Sequence, residues 1–304
     1  MVVADPALLL RLSKASKDRF RLFAAALLFS TGGAAIKACS LSSWAVAGFR
    51  SGIAAAVLYL LLPGARRGWT WRTILVALAY AATMILFVLA NKSTTSANAI
   101  FLQSTAPLYL LLLGPFVLRE PIRKIDLAVI SVVAIGAVLL LLGSDATAST
   151  APNPGRGNLI AVVSGATWAL TITGLRWMGK RSTNSDSAAA TVIAGNLIAC
   201  VICLPGMAIP VTHASLEDVA VLLYLGIFQV ALAYVFLTRS LRDVPGLEAA
   251  TLLLIEPVFN PVWTWIVHGE RPGALALIGG ALIVTAAFAG TAWQVRHLGL
   301  RYVG

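Results

Sequence analysis

Apolar residues along this chain neither alternate with polar ones nor keep to one helical face; they gather into long runs separated by short polar connections. Ten runs are legible, over residues 20–38, 43–62, 72–91, 97–118, 125–142, 157–178, 188–209, 217–237, 247–267 and 274–293. Each approaches the roughly 20 residues that an α-helix needs to cross about 30 Å of hydrocarbon, the fifth being the shortest. Period-two alternation is missing and the runs are too long for barrel strands, so a β-barrel is excluded. The pattern predicts an all-α polytopic membrane protein of ten transmembrane helices, preceded by a cytoplasmic segment over 1–19 and followed by a cytoplasmic tail over 294–304.

Charge supports that count. Taking alternate connections from the N-terminus, one side of the predicted membrane collects 18 lysines and arginines, from Arg11 to Arg301. The other side collects four, Lys37, Lys92, Arg156 and Arg271. The asymmetry places both termini in the cytoplasm, and one miscounted helix would abolish it. A net charge of +11 then acts as a topology signal rather than as a nucleic-acid face. Composition agrees: 59% hydrophobic residues, 12% charged and a mean hydropathy of +0.87 are incompatible with an ordinary soluble domain. The lipid bilayer and a small-molecule substrate are the partners implied, with a bacterial inner membrane as the location.

Two stretches repeat each other at a spacing of 150 residues: Ala97–Glu120, ANAIFLQSTAPLYLLLLGPFVLRE, and Leu247–Glu270, LEAATLLLIEPVFNPVWTWIVHGE. In that register Pro257 falls on Pro107, Glu270 on Glu120, Leu252 on Leu102, Ala249 on Ala99 and Val267 on Val117. The chain therefore divides into a five-helix repeat over 20–142, an exposed linker over 143–157 rich in small residues and proline, and a second five-helix repeat over 158–293. Five is odd, so the second repeat enters the membrane from the opposite face. Inverted repeats of this kind place a substrate site near the midplane, in a central cavity between halves that rock against each other. One chain would enclose one pathway, so a monomer suffices.

Ten helices in two repeats, each with a fourth helix reading A-x-x-L-x-x-x-x-P and a carboxylate at its end, resemble the EamA-like transporters of the drug/metabolite transporter superfamily. Within it the chain is most similar to bacterial exporters of amino acids and related metabolites, including the YddG-type exporters of aromatic amino acids. The resemblance implies a basket of helices around a cavity, with the fifth and tenth set back from it. The function expected is secondary transport that exports small organic metabolites, amino acids including aromatic ones. A passive facilitator, or a carrier of nucleosides or sugar derivatives, is the alternative.

Enzymatic roles find no support. The connections leave no room for a soluble catalytic domain, and no G-x-x-x-x-G-K-[ST] phosphate loop occurs. No nucleophile–base pair or metal cluster is evident, and no cofactor is implied. Cys200 and Cys203 stand one turn apart without a histidine or acid beside them, as small buried hydrophobes do. His213, His268 and His297 read as surface residues.

Chemistry-bearing residues inside the runs are few. Glu256 is the acid in the middle of run 9, and Glu248, Leu252, Glu256, Asn260 and Thr264 recur every four residues along one side. It serves either a substrate ammonium or proton in the cavity or a buried structural pair. Arg50, about 9 Å deep in run 2, is its candidate partner, since the two α-carbons would differ in depth by only about 7 Å. The alternatives for Arg50 are a substrate carboxylate and packing beside Gly48 and Gly52. Trp168 shares a face with Ser164 and Thr171 and lies too deep for an interfacial belt, so it either packs the core or stacks on substrate. Tyr80, Thr83, Gln103, Tyr224 and Gln229 complete the candidate lining, with Asn98, Thr105 and Tyr109 forming a weaker stripe on run 4. Pro107 and Pro257 remove the amides due to the carbonyls of Gln103 and Leu253, predicting a hinge in runs 4 and 9. Glu120 and Glu270 are expected to cap helices or to pair with loop cations.

Overall fold

The computed structural model describes residues 6–67, 69–118, 124–143, 149–179, 186–207, 214–240 and 252–299. Among them every regular element is a helix: α1 (Pro6–Ser30), α2 (Gly32–Ala38), α3 (Ser43–Leu61), α4 (Trp71–Ser93), α5 (Ser96–Gln103), α6 (Ala106–Leu113), α7 (Lys124–Leu142), α8 (Pro154–Gly179), α9 (Asp186–Met207), α10 (Leu216–Leu223), α11 (Ala233–Ser240), α12 (Ile255–His268) and α13 (Ala274–Gly299). Wide π-turns extend α6 over Gly114–Leu118 and join α10 to α11 over Tyr224–Leu232. Six stretches are long and apolar enough to cross a membrane. They coincide with runs 1, 2, 3, 6, 7 and 8.

Runs 5 and 10 form the single helices α7 and α13, apolar among the described residues over Leu127–Leu142 and Ala274–Gly290. Runs 4 and 9 are broken. α5 stops at Gln103 and α6 resumes at Ala106; in run 9 residues 252–253 are helical, Leu254 is a turn, and α12 starts at Ile255. Leu254 falls on Ser104 in the 150-residue register, so the breaks match. Each precedes its proline by two or three residues, where the missing amide leaves a carbonyl without its helical donor. In run 4 that carbonyl belongs to Gln103; the hydroxyls at the break bond carbonyls before it, Ser104 Oγ donating to Ile100 at 2.8 Å and Thr105 Oγ1 to Leu102 at 2.6 Å.

Helix extends past both ends of the runs. α1 begins at Pro6 and runs straight into run 1. α13 likewise carries the tail's first residues as helix to Gly299. The linker is also less exposed than its composition suggests. Ala151 is buried and the Asn153 amide donates to the Ser93 carbonyl at 2.9 Å.

Packing follows side-chain size. α4 lies along α8 and α9, and α3 along α9 and the π-turn of run 8. α1 lies against α11 and α12, α12 against α2 and α5, and α5 and α6 against α8. Traced in order, runs 1, 8, 2, 7, 3, 6, 4 and 9 close a ring. Small residues allow the close approaches: a Cβ on Gly48 would sit 2.8 Å from Cys203 Cβ, and one on Gly52 would sit 2.9 Å from Cys200 Sγ. α7 and α13 pack on each other beside run 4. There a Cβ on Gly136 would meet the Gly279 carbonyl at 2.6 Å, and one on Gly279 the Gly136 carbonyl at 2.5 Å. The described connections around 39–42, 94–95, 149–153, 214–215 and 269–273 all gather at one end of the bundle, through contacts given below. These are the connections that charge assigns to the outer side.

Candidate functional site

Most of the polar residues singled out in the runs are tied to neighbouring helices. Arg50 is 1% exposed; its Nη2 donates to the Met84 carbonyl at 2.9 Å, and its Nε has no partner. Tyr80 accepts from Asn196 Nδ2 at 3.2 Å and meets Tyr234 edge-on with ring centroids 5.7 Å apart. Tyr234 in turn meets Phe29 edge-on at 5.2 Å. Thr83 Oγ1 lies 3.0 Å from Thr167 Oγ1, and Gln103 Nε2 donates to Ser164 Oγ at 2.8 Å. Thr171 is fully buried and bonds back to the Thr167 carbonyl at 2.9 Å. Tyr224 shares a hydrogen bond of 2.8 Å with Thr31 Oγ1 and stacks on Phe228. Gln229 is buried; its Nε2 reaches the Phe29 carbonyl at 3.4 Å, while its Oε1 is unpartnered. Apart from Thr171, which bonds within its own helix, helix-to-helix bonds thus account for these groups in the form that satisfied polar residues take inside membranes.

Glu256 and Trp168 are different. Both are half-buried, and neither makes a hydrogen bond or ion pair with a described residue. Glu256 occupies the first turn of α12, directly after the break at Leu254.

The expected Arg50–Glu256 ion pair is not formed. Depth alone suggested it, and depth says nothing about position round the ring, where runs 8 and 1 separate run 2 from run 9. Tyr234 on run 8 lies within electrostatic reach of both charges. Neither Tyr234 nor Asn196 was singled out in the sequence, because a tyrosine or asparagine in an apolar run has no signature without its partner.

The outer end carries a second polar assembly. Lys37 Nζ and Glu270 Oε2 form an ion pair of 3.2 Å with side chains only 4% and 3% exposed. Lys37 also donates to the carbonyls of Thr94, at 2.8 Å, and of Thr150. Glu270 Oε1 accepts the Ser96 amide, capping α5 at its positive end. Gly269 directs the carboxylate there by ending α12 in the left-handed conformation, φ 65°. The expectation that Glu270 caps a helix or pairs with a cation holds, though the partner is Lys37 of run 1. Glu120 lies outside the described residues.

Around that pair the polar groups interlock. Ser96 Oγ lies 2.8 Å from Asn91 Oδ1 and 2.7 Å from Asn260 Oδ1, yet it has one hydrogen to give. Turning the Asn260 amide over lets Nδ2 donate to Ser96, which donates on to Asn91, and gives that buried Nδ2 its partner. Gly33 makes the space: a Cβ there would be 1.8 Å from Ser96 Oγ. Asp218 accepts from the amide and hydroxyl of Ser40 at 2.6 and 2.7 Å, Lys92 donates to the Cys39 carbonyl, and Thr94 Oγ1 donates to Asn158 at 2.6 Å. His268 is half-buried, and its Nε2 bonds the Ala34 carbonyl at 2.8 Å. His213 and the side chain of His297 lie outside the described residues. Runs 1, 3, 4, 6, 8 and 9 are all tied into this closure.

A ring built from two halves, with matched breaks beside matched prolines, has relatives. The model of the EamA-like transporter family matches residues 20–142 and again 155–290. The chain belongs to that family. It is therefore a multi-pass membrane protein. One is an uncharacterized transporter of Methanothermobacter thermautotrophicus, 22% identical over 219 residues, which cover 71% of this chain and 63% of the relative. Another is the uncharacterized transporter YdfC of Bacillus subtilis, 29% identical over 90 residues, covering 30% and 29% of the two chains. The matched regions thus span less than two thirds of these relatives. A solved crystal structure covers 93% of this EamA-like chain at a TM-score of 0.59 and 19% identity, a likeness of fold alone.

Proposed function

We propose that this transporter carries small zwitterionic metabolites, amino acids including aromatic ones, out of a bacterial cytoplasm by alternating access. The observation that carries the reading is the contrast inside the ring: nearly every polar candidate is engaged by another helix, whereas Glu256 and Trp168 are half-buried and have no hydrogen bond or ion pair among the described residues. A membrane-embedded carboxylate calls for a cationic partner, which a substrate ammonium supplies. An indole with a free face offers a stacking surface to an aromatic side chain. The unpartnered Gln229 Oε1 adds an acceptor on run 8.

Access alternates, on this reading, because the Lys37–Glu270 closure seals the outer end and must come apart for release. The matched breaks at Ser104 and Leu254 serve as its hinges, with Pro107 and Pro257 keeping the helices from healing. Counterflow in proteoliposomes tests the function. Vesicles preloaded with unlabelled amino acid are expected to accumulate labelled amino acid transiently, with Glu256→Gln abolishing the overshoot. A wild-type protein that dissipates gradients without counterflow would be a passive facilitator, and an unchanged Glu256→Gln variant would remove the acid from the site.

A further inference from the structure

At the basic end of the bundle lies a cleft of about 490 Å³, lined by Lys17, Phe20, Arg21 and Ala24 of α1 and by Phe236 of α11. The four α1 residues recur at spacings of three and four and so form one stripe. It faces away from the packed side of α1, where Leu22, Ala25 and Ala26 are fully buried. Lys17 lies three residues before the apolar run that begins at residue 20, which puts its ammonium at headgroup level. Ala24 lies seven residues further along, about 10 Å deeper at 1.5 Å per residue. Between them Arg21, 41% exposed, holds Asp18 at 2.7 Å with Nη1, and its long stem lets the guanidinium rise toward the interface. Arg239 is exposed in the last turn of α11, one turn beyond Phe236. Because Leu22 packs on Leu237 and Phe29 on Tyr234, α1 and α11 run antiparallel and Arg239 lies at the same end as Lys17.

The cleft is therefore cationic at its mouth and apolar below, the polarity profile of a phospholipid with a negative headgroup. Its surroundings identify what fills it. Phe20 is 71% and Phe23 40% exposed on this half of α1, rings that bilayer hydrocarbon covers and water does not. We propose that the cleft is a binding site for an anionic phospholipid, with the phosphate held by Lys17 and Arg21 and an acyl chain laid along Phe20, Ala24 and Phe236. Each basic contact strengthens anionic lipid binding several-fold, so losing both should weaken it by roughly tenfold or more.

The test titrates short-chain phosphatidylglycerol and phosphatidylcholine into the purified full chain and follows bound lipid by native mass spectrometry, with thermal melting in parallel. Phosphatidylglycerol should bind at least tenfold more tightly than phosphatidylcholine, and the Lys17→Gln/Arg21→Gln variant should lose that preference while melting as the wild type does in phosphatidylcholine. Should the double variant not fold, the exposed Lys17→Gln change alone must still reduce the preference several-fold. Equal binding of the two lipids, or an undiminished preference in the variants, overturns the site. So does equal stabilisation by inorganic phosphate, which would make it an anion site, or displacement of phosphatidylglycerol by a transported amino acid, which would make it the mouth of the pathway.

Discussion

Replacing Glu270 with glutamine should open the outer end. The change keeps an oxygen to accept the Ser96 amide but leaves the Lys37 ammonium, 4% exposed, without its countercharge. Breaking a buried ion pair by removing one partner costs about 3–5 kcal/mol. Lys37 retains the carbonyls of Thr94 and Thr150, so the lower figure applies. If the cost falls only on the closed conformer, because an open one lets Lys37 reach water, about 3 kcal/mol raises the open-to-closed ratio roughly 150-fold. Cys39 reports it. The thiol sits in the outer connection at 1% exposure, and burial pushes it up to about 11. A raised thiol pKa keeps the neutral, unreactive form at pH 8, so only the open conformer exposes a competent thiolate. In a background with Cys200 and Cys203 replaced, maleimide labelling of Cys39 should accelerate on the order of 100-fold in Glu270→Gln. An unchanged rate in a variant that melts earlier would show that the pair holds the fold together without governing access.

Gly33→Ala should mimic that effect from the other side, since the added methyl meets Ser96 Oγ at 1.8 Å and Asn260 Oδ1 at 2.6 Å; overpacking of this kind costs about 1–3 kcal/mol, read as a lower melting temperature with faster Cys39 labelling. Trp168→Ala should weaken the half-saturation constant for an aromatic amino acid roughly fivefold, in line with a stacking contact of about 1 kcal/mol, and Trp168→Phe should recover most of it. Equal losses for aromatic and aliphatic substrates would reduce Trp168 to packing. Pro107→Ala should slow turnover without loss of folded protein, because a restored amide lets α5 and α6 join; unchanged turnover would remove the hinge.

Much of this architecture is legible in the residues. Six runs fold as membrane-length helical spans within a few residues of their expected ends, because in lipid a long apolar run has almost no other way to satisfy its backbone. The breaks in runs 4 and 9 were legible too, since a proline in mid-run removes a specific amide. Partnership was not. Arg50 and Glu256 share a depth but not a side of the ring, while Lys37 and Glu270, 233 residues apart, read as an interfacial lysine and a helix-end acid until folding buries them together. The stripe on α12 is clear in sequence, yet Asn260 belongs to the outer closure and Glu256 does not. Periodicity fixes a direction on a helix; which neighbour stands there depends on the ring.

The glycine contact between α7 and α13 constrains how such a molecule can move. Each helix comes from a different matched stretch, and at Gly136 and Gly279 their backbones meet between the side chains of Leu139, Leu140, Leu282 and Ile283. Sliding there would drive carbonyl oxygens and these side chains into one another. On the alternating-access proposal this contact is where the two helices would pivot, and a methyl group at either glycine would meet the facing carbonyl and jam it.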